Sequence, residues 1–212
     1  QFSIGLTSRI IDESRGTEKL KLNLGQIIHL RDRKVIIPGG NRQTETLSDF
    51  LFEMTANPIN GIKFRGSARW DPNDDKLRKS TASLRIQPNQ DTVLNLGYRQ
   101  RKGKNIFQPD IKQADISARI PIMDSLALIG RWNYSLEEKE SIETFGGIEY
   151  ESCCWGAKLI ARRFLKNSNN SDGVHDNSIF MQIHFRGLGG FGRGGSESFI
   201  TRGIPGYMDP FE

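Results

Sequence analysis

Two adjacent thiols, Cys153 and Cys154, are the chain's only cysteines and the sharpest chemical feature in its sequence. Neighbouring residues rarely reach the geometry of a mutual disulfide. Either they bond to cysteines outside this chain, or one of them packs as a small hydrophobe. Residues Gly187-Leu188-Gly189-Gly190-Phe191-Gly192 match the dinucleotide pattern G-x-G-x-x-G. That pattern needs a following helix whose amides face a pyrophosphate. Here Gly203, Pro205 and Pro210 come next instead, so the stretch reads as a flexible tail. The three histidines, His29, His175 and His184, fall into no metal-ligand or nucleophile–base spacing. No catalytic residue, metal ligand or cofactor is assigned. Basic residues gather in two loops, Arg31/Arg33/Lys34/Arg42 and Arg101/Lys102/Lys104, and along Lys63/Arg65/Arg69. Such groups suit the phosphates of a lipid, and they equally suit ordinary solvation.

The elements that must position these residues are strands. Of 212 residues, 36% are apolar and 26% charged, with a net charge of +5. No apolar run approaches the length of a membrane-spanning helix, and that leaves a membrane β-barrel open. Period-2 alternation recurs eleven times, over 2–12, 17–30, 46–56, 61–70, 76–86, 92–100, 110–120, 124–135, 142–152, 155–165 and 178–187. Leu20, Leu22, Leu24, Ile28 and Leu30 share one face, opposite Lys21, Asn23 and His29. Leu94/Leu96/Tyr98, Ala114/Ile116/Ala118/Ile120 and Leu126/Leu128/Trp132/Tyr134 repeat the rule. No stripe of helical period with caps is present, so almost no helix is expected.

Three features favour a membrane barrel over a soluble sandwich. The strands are near ten residues, as a tilted membrane strand requires. Tight turns alternate with longer polar loops, which in a meander puts short turns on one rim and long loops on the other. Trp70, Tyr98, Trp132, Tyr134, Tyr150 and Trp155 sit near strand ends, where an interfacial girdle lies. The fold class is therefore all-β, an antiparallel up-and-down transmembrane barrel. An odd strand count and two unpaired edges indicate the C-terminal portion of something larger. Residues 1–188 are barrel and 189–212 a Gly-rich tail with no assigned role. At a turn exposed to an oxidising compartment, disulfides from Cys153 and Cys154 to other segments are favoured over free thiols.

The corner Gly147-Ile148-Glu149-Tyr150-Glu151-Ser152-Cys153-Cys154-Trp155, and the strand Asp176-Asn177-Ser178-Ile179 through Arg186-Gly187-Leu188, resemble the C-terminal end of the LPS-assembly outer-membrane family LptD. The resemblance implies a barrel of about 26 strands, at the upper part of the known range. It implies a lipopolysaccharide translocon in the outer membrane of a Gram-negative bacterium, with an LptE-type lipoprotein plug, a periplasmic bridge delivering lipopolysaccharide, and outer-membrane lipid as partners. Carried over by position, Cys153 and Cys154 match the pair that bonds to an N-terminal domain. Asn177, Ile179, Met181, Ile183, Phe185, Arg186 and Gly187 match the last strand, one side of a lateral gate. The expected protein is not an enzyme and binds no nucleic acid. The competing readings are a general porin or ligand-specific outer-membrane channel and, further off, an outer-membrane barrel hydrolase.

Overall fold

The computed structural model describes residues 1–30, 46–103, 109–166, 174–186, 189–192 and 196–209. Eleven strands occupy almost the spans expected from alternation: β1 (Phe2–Asp12), β2 (Thr17–Ile28), β3 (Phe50–Ala56), β4 (Ile62–Asp71), β5 (Lys76–Ile86), β6 (Val93–Arg101), β7 (Ile111–Met123), β8 (Leu126–Ser135), β9 (Glu140–Glu151), β10 (Trp155–Lys166) and β11 (Val174–Phe185). A twelfth, β12 (Gly189–Gly192), and a helix, α1 (Ser196–Gly203), lie within the stretch expected to be a flexible tail. Each strand pairs with its neighbours in chain order, as an antiparallel meander does. The basic loop Arg31/Arg33/Lys34/Arg42 and Lys104 lie outside the described residues, as do Gly187 and Leu188.

The chain divides into two compact units, residues 1–83 with 99–111, and residues 84–98 with 112–212. In the first, register aligns side chains by type. Leu6 opposes Leu24, Leu24 opposes Phe52, and Phe52 opposes Ala68, so one face is apolar. The opposite face carries a polar relay, in which the Thr7 hydroxyl donates to Asn23 Oδ1 at 3.1 Å and Asn23 Nδ2 donates to Glu53 at 3.3 Å.

The second unit reverses the burial of a soluble protein. Leu128, Ile148, Leu159 and Met181 line up across β8–β11 in register and are 44–61% exposed. The other face buries Lys158, Glu149, Arg119 and Ser117, each at most 7% exposed. An apolar face turned outward over a polar interior is what a bilayer demands of a barrel and what water would penalise. Aromatic pairs mark both ends of the outer face. Trp132 packs on Tyr134 at 5.3 Å and Tyr150 on Trp155 at 5.0 Å between ring centroids. Tyr150 opposes Leu126, eight positions along β8 from Tyr134, a separation of ~26 Å at the usual rise per residue. This matches the height of a barrel's apolar band, about 25 Å.

Candidate functional site

The candidate site is built from the Cys153–Cys154 corner, the last long strand and the inner face of the second unit. Strand β9 ends at Glu151 and β10 begins at Trp155, so the thiols lie in the turn between them, both exposed and free. The corner is tied by the Ser152 amide, which donates to the Trp155 carbonyl at 2.9 Å, and by the Arg186 amide, which donates to the Cys154 carbonyl at 3.0 Å. The Arg186 guanidinium pairs with Glu151. The two sulfurs are 2.8 Å apart. Their mutual hydrogen bond, with the Ser152 hydroxyl and the Arg186 charge, lowers the Cys153 pKa. The same hydrogen bond and the Cys153 charge raise that of Cys154. Cys153 is thus the thiol that ionises first.

Strand β11 pairs along its whole length with β10, from Trp155↔Phe185 to Lys166↔Val174. Asn177, Ile179, Met181, Ile183 and Phe185 occupy alternate positions on it, with Ile179 and Met181 at 78% and 61% exposure. Arg186 lies one residue beyond the strand. Gly187, expected on the same strand, is outside the described residues. The other edge of β11 pairs with β12 from Gln182↔Gly192 to Phe185↔Gly189.

His175, expected in a long loop, is in β11 opposite Leu165, and its Nε2 lies 3.3 Å from the Ser141 carbonyl. His184 opposes Gly156, while His29 lies just past the end of β2. Among the described residues no three His, Cys, Asp or Glu side chains are grouped to hold a metal ion. Of the basic groups, Lys102 pairs with Asp110 at 2.7 Å and Arg69 with Asp49.

What sequence reasoning missed is the inner face. Two rows of charge cross β7–β10. Toward the loop end, Asp115 accepts from Arg131 at 2.7 Å, Arg131 donates to Glu143 at 2.8 Å, and Arg162 donates to Glu143 at 2.7 Å. Toward the cysteine corner, Arg119 donates to Glu149 at 2.9 Å and to the Asp91 carbonyl at 2.6 Å, and Lys158 lies 3.9 Å from Glu149. Between the rows Ile129, Phe145 and Ile160 form an apolar island, which is covered by Phe199, Ile200, Ile204 and Tyr207 of the tail. Phe199 meets Phe145 edge-on at 5.5 Å and Phe180 at 5.1 Å. The corrected reading of residues 196–209 is an ordered inner layer rather than a loose end. An eight-residue helix has little stability of its own, so α1 exists because this island takes its apolar side. One signal was available in the sequence. Ile129, Phe145 and Ile160 stand at polar-face parity on three successive strands, where a water-filled lumen has no use for them.

With this geometry in place, comparison with known proteins is direct. The family model LptD, LPS transport system D, matches residues 1–132. The chain belongs to the LptD family. Its strands are those of an integral outer-membrane β-barrel of Gram-negative bacteria, consistent with the outward apolar face. The chain is 32% identical over 211 residues to the LPS-assembly protein LptD of Nitrosococcus oceani, covering 100% of this chain and 27% of that protein. It is 36% identical over 210 residues to that of Alkalilimnicola ehrlichii, with 98% and 27% covered, and 32% over 249 residues to that of Pseudomonas aeruginosa, with 98% and 26% covered. The chain thus spans about a quarter of the length of the curated relatives it matches. The family model falls upstream of the two segments that carry the resemblance, whereas the relatives align through both.

Proposed function

We propose that this chain is the C-terminal barrel portion of a lipopolysaccharide translocon, working without catalysis. The observation that carries the reading is the inside-out burial of β7–β11 in a chain of the LptD family, whose relatives are named for LPS assembly. Lipopolysaccharide is a lipid with a bulky polar headgroup, and a polar interior beside an apolar exterior offers each half its own medium. The free edge of β11, over Asn177, Ile179 and Met181, is one side of a seam through which the lipid portion leaves. A ladder at a sheet edge separates at modest cost when it is short, as local opening free energies are smallest where few contacts hold. Cys153 and Cys154, exposed at a turn, form disulfides to a preceding delivery domain and fix it beside that seam. An LptE-type lipoprotein occupies the lumen, and periplasmic bridge components supply the lipid.

The test locks the seam. In the full-length protein, a cysteine at Asn177 or Ile179 is crosslinked to the strand that closes the barrel, and newly made surface lipopolysaccharide is measured. The expected result is loss of export that returns on reduction. Undiminished export at complete crosslinking overturns the gate.

A further inference from the structure

Strand β11 has one edge filled by β10 along its whole length. Its other edge is filled only over residues 182–185, by β12. Residues 174–181 of that edge make no described strand pairing. Sequence makes β12 a poor strand, because three of its four residues are glycine, which adds backbone entropy and no packing. Alone at an edge it should fray.

Residues 199–209 are held along the inner face at several points. Ile200 and Ile204 are fully buried and Phe199 is wedged between Phe145 and Phe180. Gly203 sits so close to Phe145 that a Cβ there would lie 2.8 Å from its ring. At Pro205 and Gly206 the backbone carbonyls accept from Asn95 at 3.0 Å and Gln87 at 3.1 Å. Gly206 has a φ of +90°, a conformation that favours glycine. Tyr207 donates to Glu149, and Asp209 receives the buried Lys158 ammonium at 2.5 Å. Lys158 is fully buried. Its contact with the Glu149 carboxylate is longer, at 3.9 Å, a weak match for an ammonium removed from water. The tail is therefore part of the inner face's charge balance.

We propose that residues 189–192 and 196–209 act together as a built-in strap. β12 occupies the end of the β11 free edge beside the cysteine corner, and docking of α1 and its extension to Asp209 on the inner face holds it there. A neighbouring strand can then zip onto β11 only over residues 174–181, so the strap sets the length of the seam. This inference rests on the gate reading for its consequence in export, but the strap itself is testable apart from it.

The experiment is hydrogen–deuterium exchange of the full-length protein in lipid nanodiscs. It compares the native protein with Ile200→Ser/Ile204→Ser and with Tyr207→Phe, reading peptides that contain residues 189–192. Native amides there should be protected. Exchange should quicken by about tenfold or more in the double variant and by a smaller factor in Tyr207→Phe, while β8–β10 stay protected. If the double variant also loosens β8–β10, the comparison rests on Tyr207→Phe. Residues 189–192 unprotected in the native protein, or exchanging equally in native and Tyr207→Phe protein, overturn the strap. If β12 loosens as expected while a locked seam still exports, the strap stands and the gate reading falls.

Discussion

Replacing Leu159 with Arg separates a lipid-facing strand from a water-facing one. Leu159 lies near the middle of β10, opposite Ile148 on one side and Met181 on the other, and is 47% exposed. On a soluble protein, an exposed leucine away from caps and turns tolerates such a change within about 0.5 kcal/mol. On a barrel's outer face, an arginine near the bilayer midplane costs about 2–4 kcal/mol. That is ~30- to 1,000-fold in the folding equilibrium. Nothing else in the site predicts a large effect, because Leu159 is no part of the tail-covered island. The assay is reversible unfolding of the full-length protein in lipid vesicles, with Trp155→Arg at the strand end as the depth control, read against Trp155→Gln so that the lost Tyr150 ring contact cancels. Near the interface the same charge should cost only about 0–1 kcal/mol. Equal and small effects at both positions would refute a membrane-embedded outer face.

Two other outcomes come from local geometry. A Cβ at Gly147 would collide with the Leu159 carbonyl oxygen and lie 2.8 Å from the Ile160 side chain, whereas at Gly146 it would meet nothing within 4 Å. Gly147→Ala should therefore destabilise by about 1–3 kcal/mol through overpacking and Gly146→Ala far less, as measured by the same unfolding assay; equal costs would contradict the strand spacing. In reduced protein, rising pH ionises Cys153 before Cys154, since the pKa of the first is lowered and that of the second raised. Mass-spectrometric alkylation should label Cys153 ahead of Cys154 around neutral pH, with the preference narrowing at higher pH; the reverse order would refute the assignment.

The eleven long strands were legible because alternation is local. Each apolar or polar choice in Leu126–Ser135 or Trp155–Lys166 sets the face of its own residue, and a bilayer outside leaves that alternation intact. The turns were equally legible, as at residues 13–16, where Gly16 has a φ of +64°. The cysteine corner was visible by composition, as the chain's only two thiols stand side by side. The start of β11 was not. Residues 174–177 lack alternation and join the strand because β10 extends to Lys166 and offers partners.

The tail marks the boundary between the two kinds of information. Phe199, Ile200, Ile204 and Tyr207 have a meaning only once Ile129, Phe145 and Ile160 from three different strands share one patch. Lys158 and Asp209 are 51 residues apart in the chain, yet they form one ion pair. Sequence alone determined the strands, their order, the outward apolar face and the thiol pair, because these depend on residue type and short-range spacing. Only the tertiary structure decided that residues 196–209 fold onto the inner face and that β12 occupies part of the last long strand's edge. Burial of a short helix and pairing of a buried charge both depend on surfaces assembled from distant segments, and no local pattern encodes them.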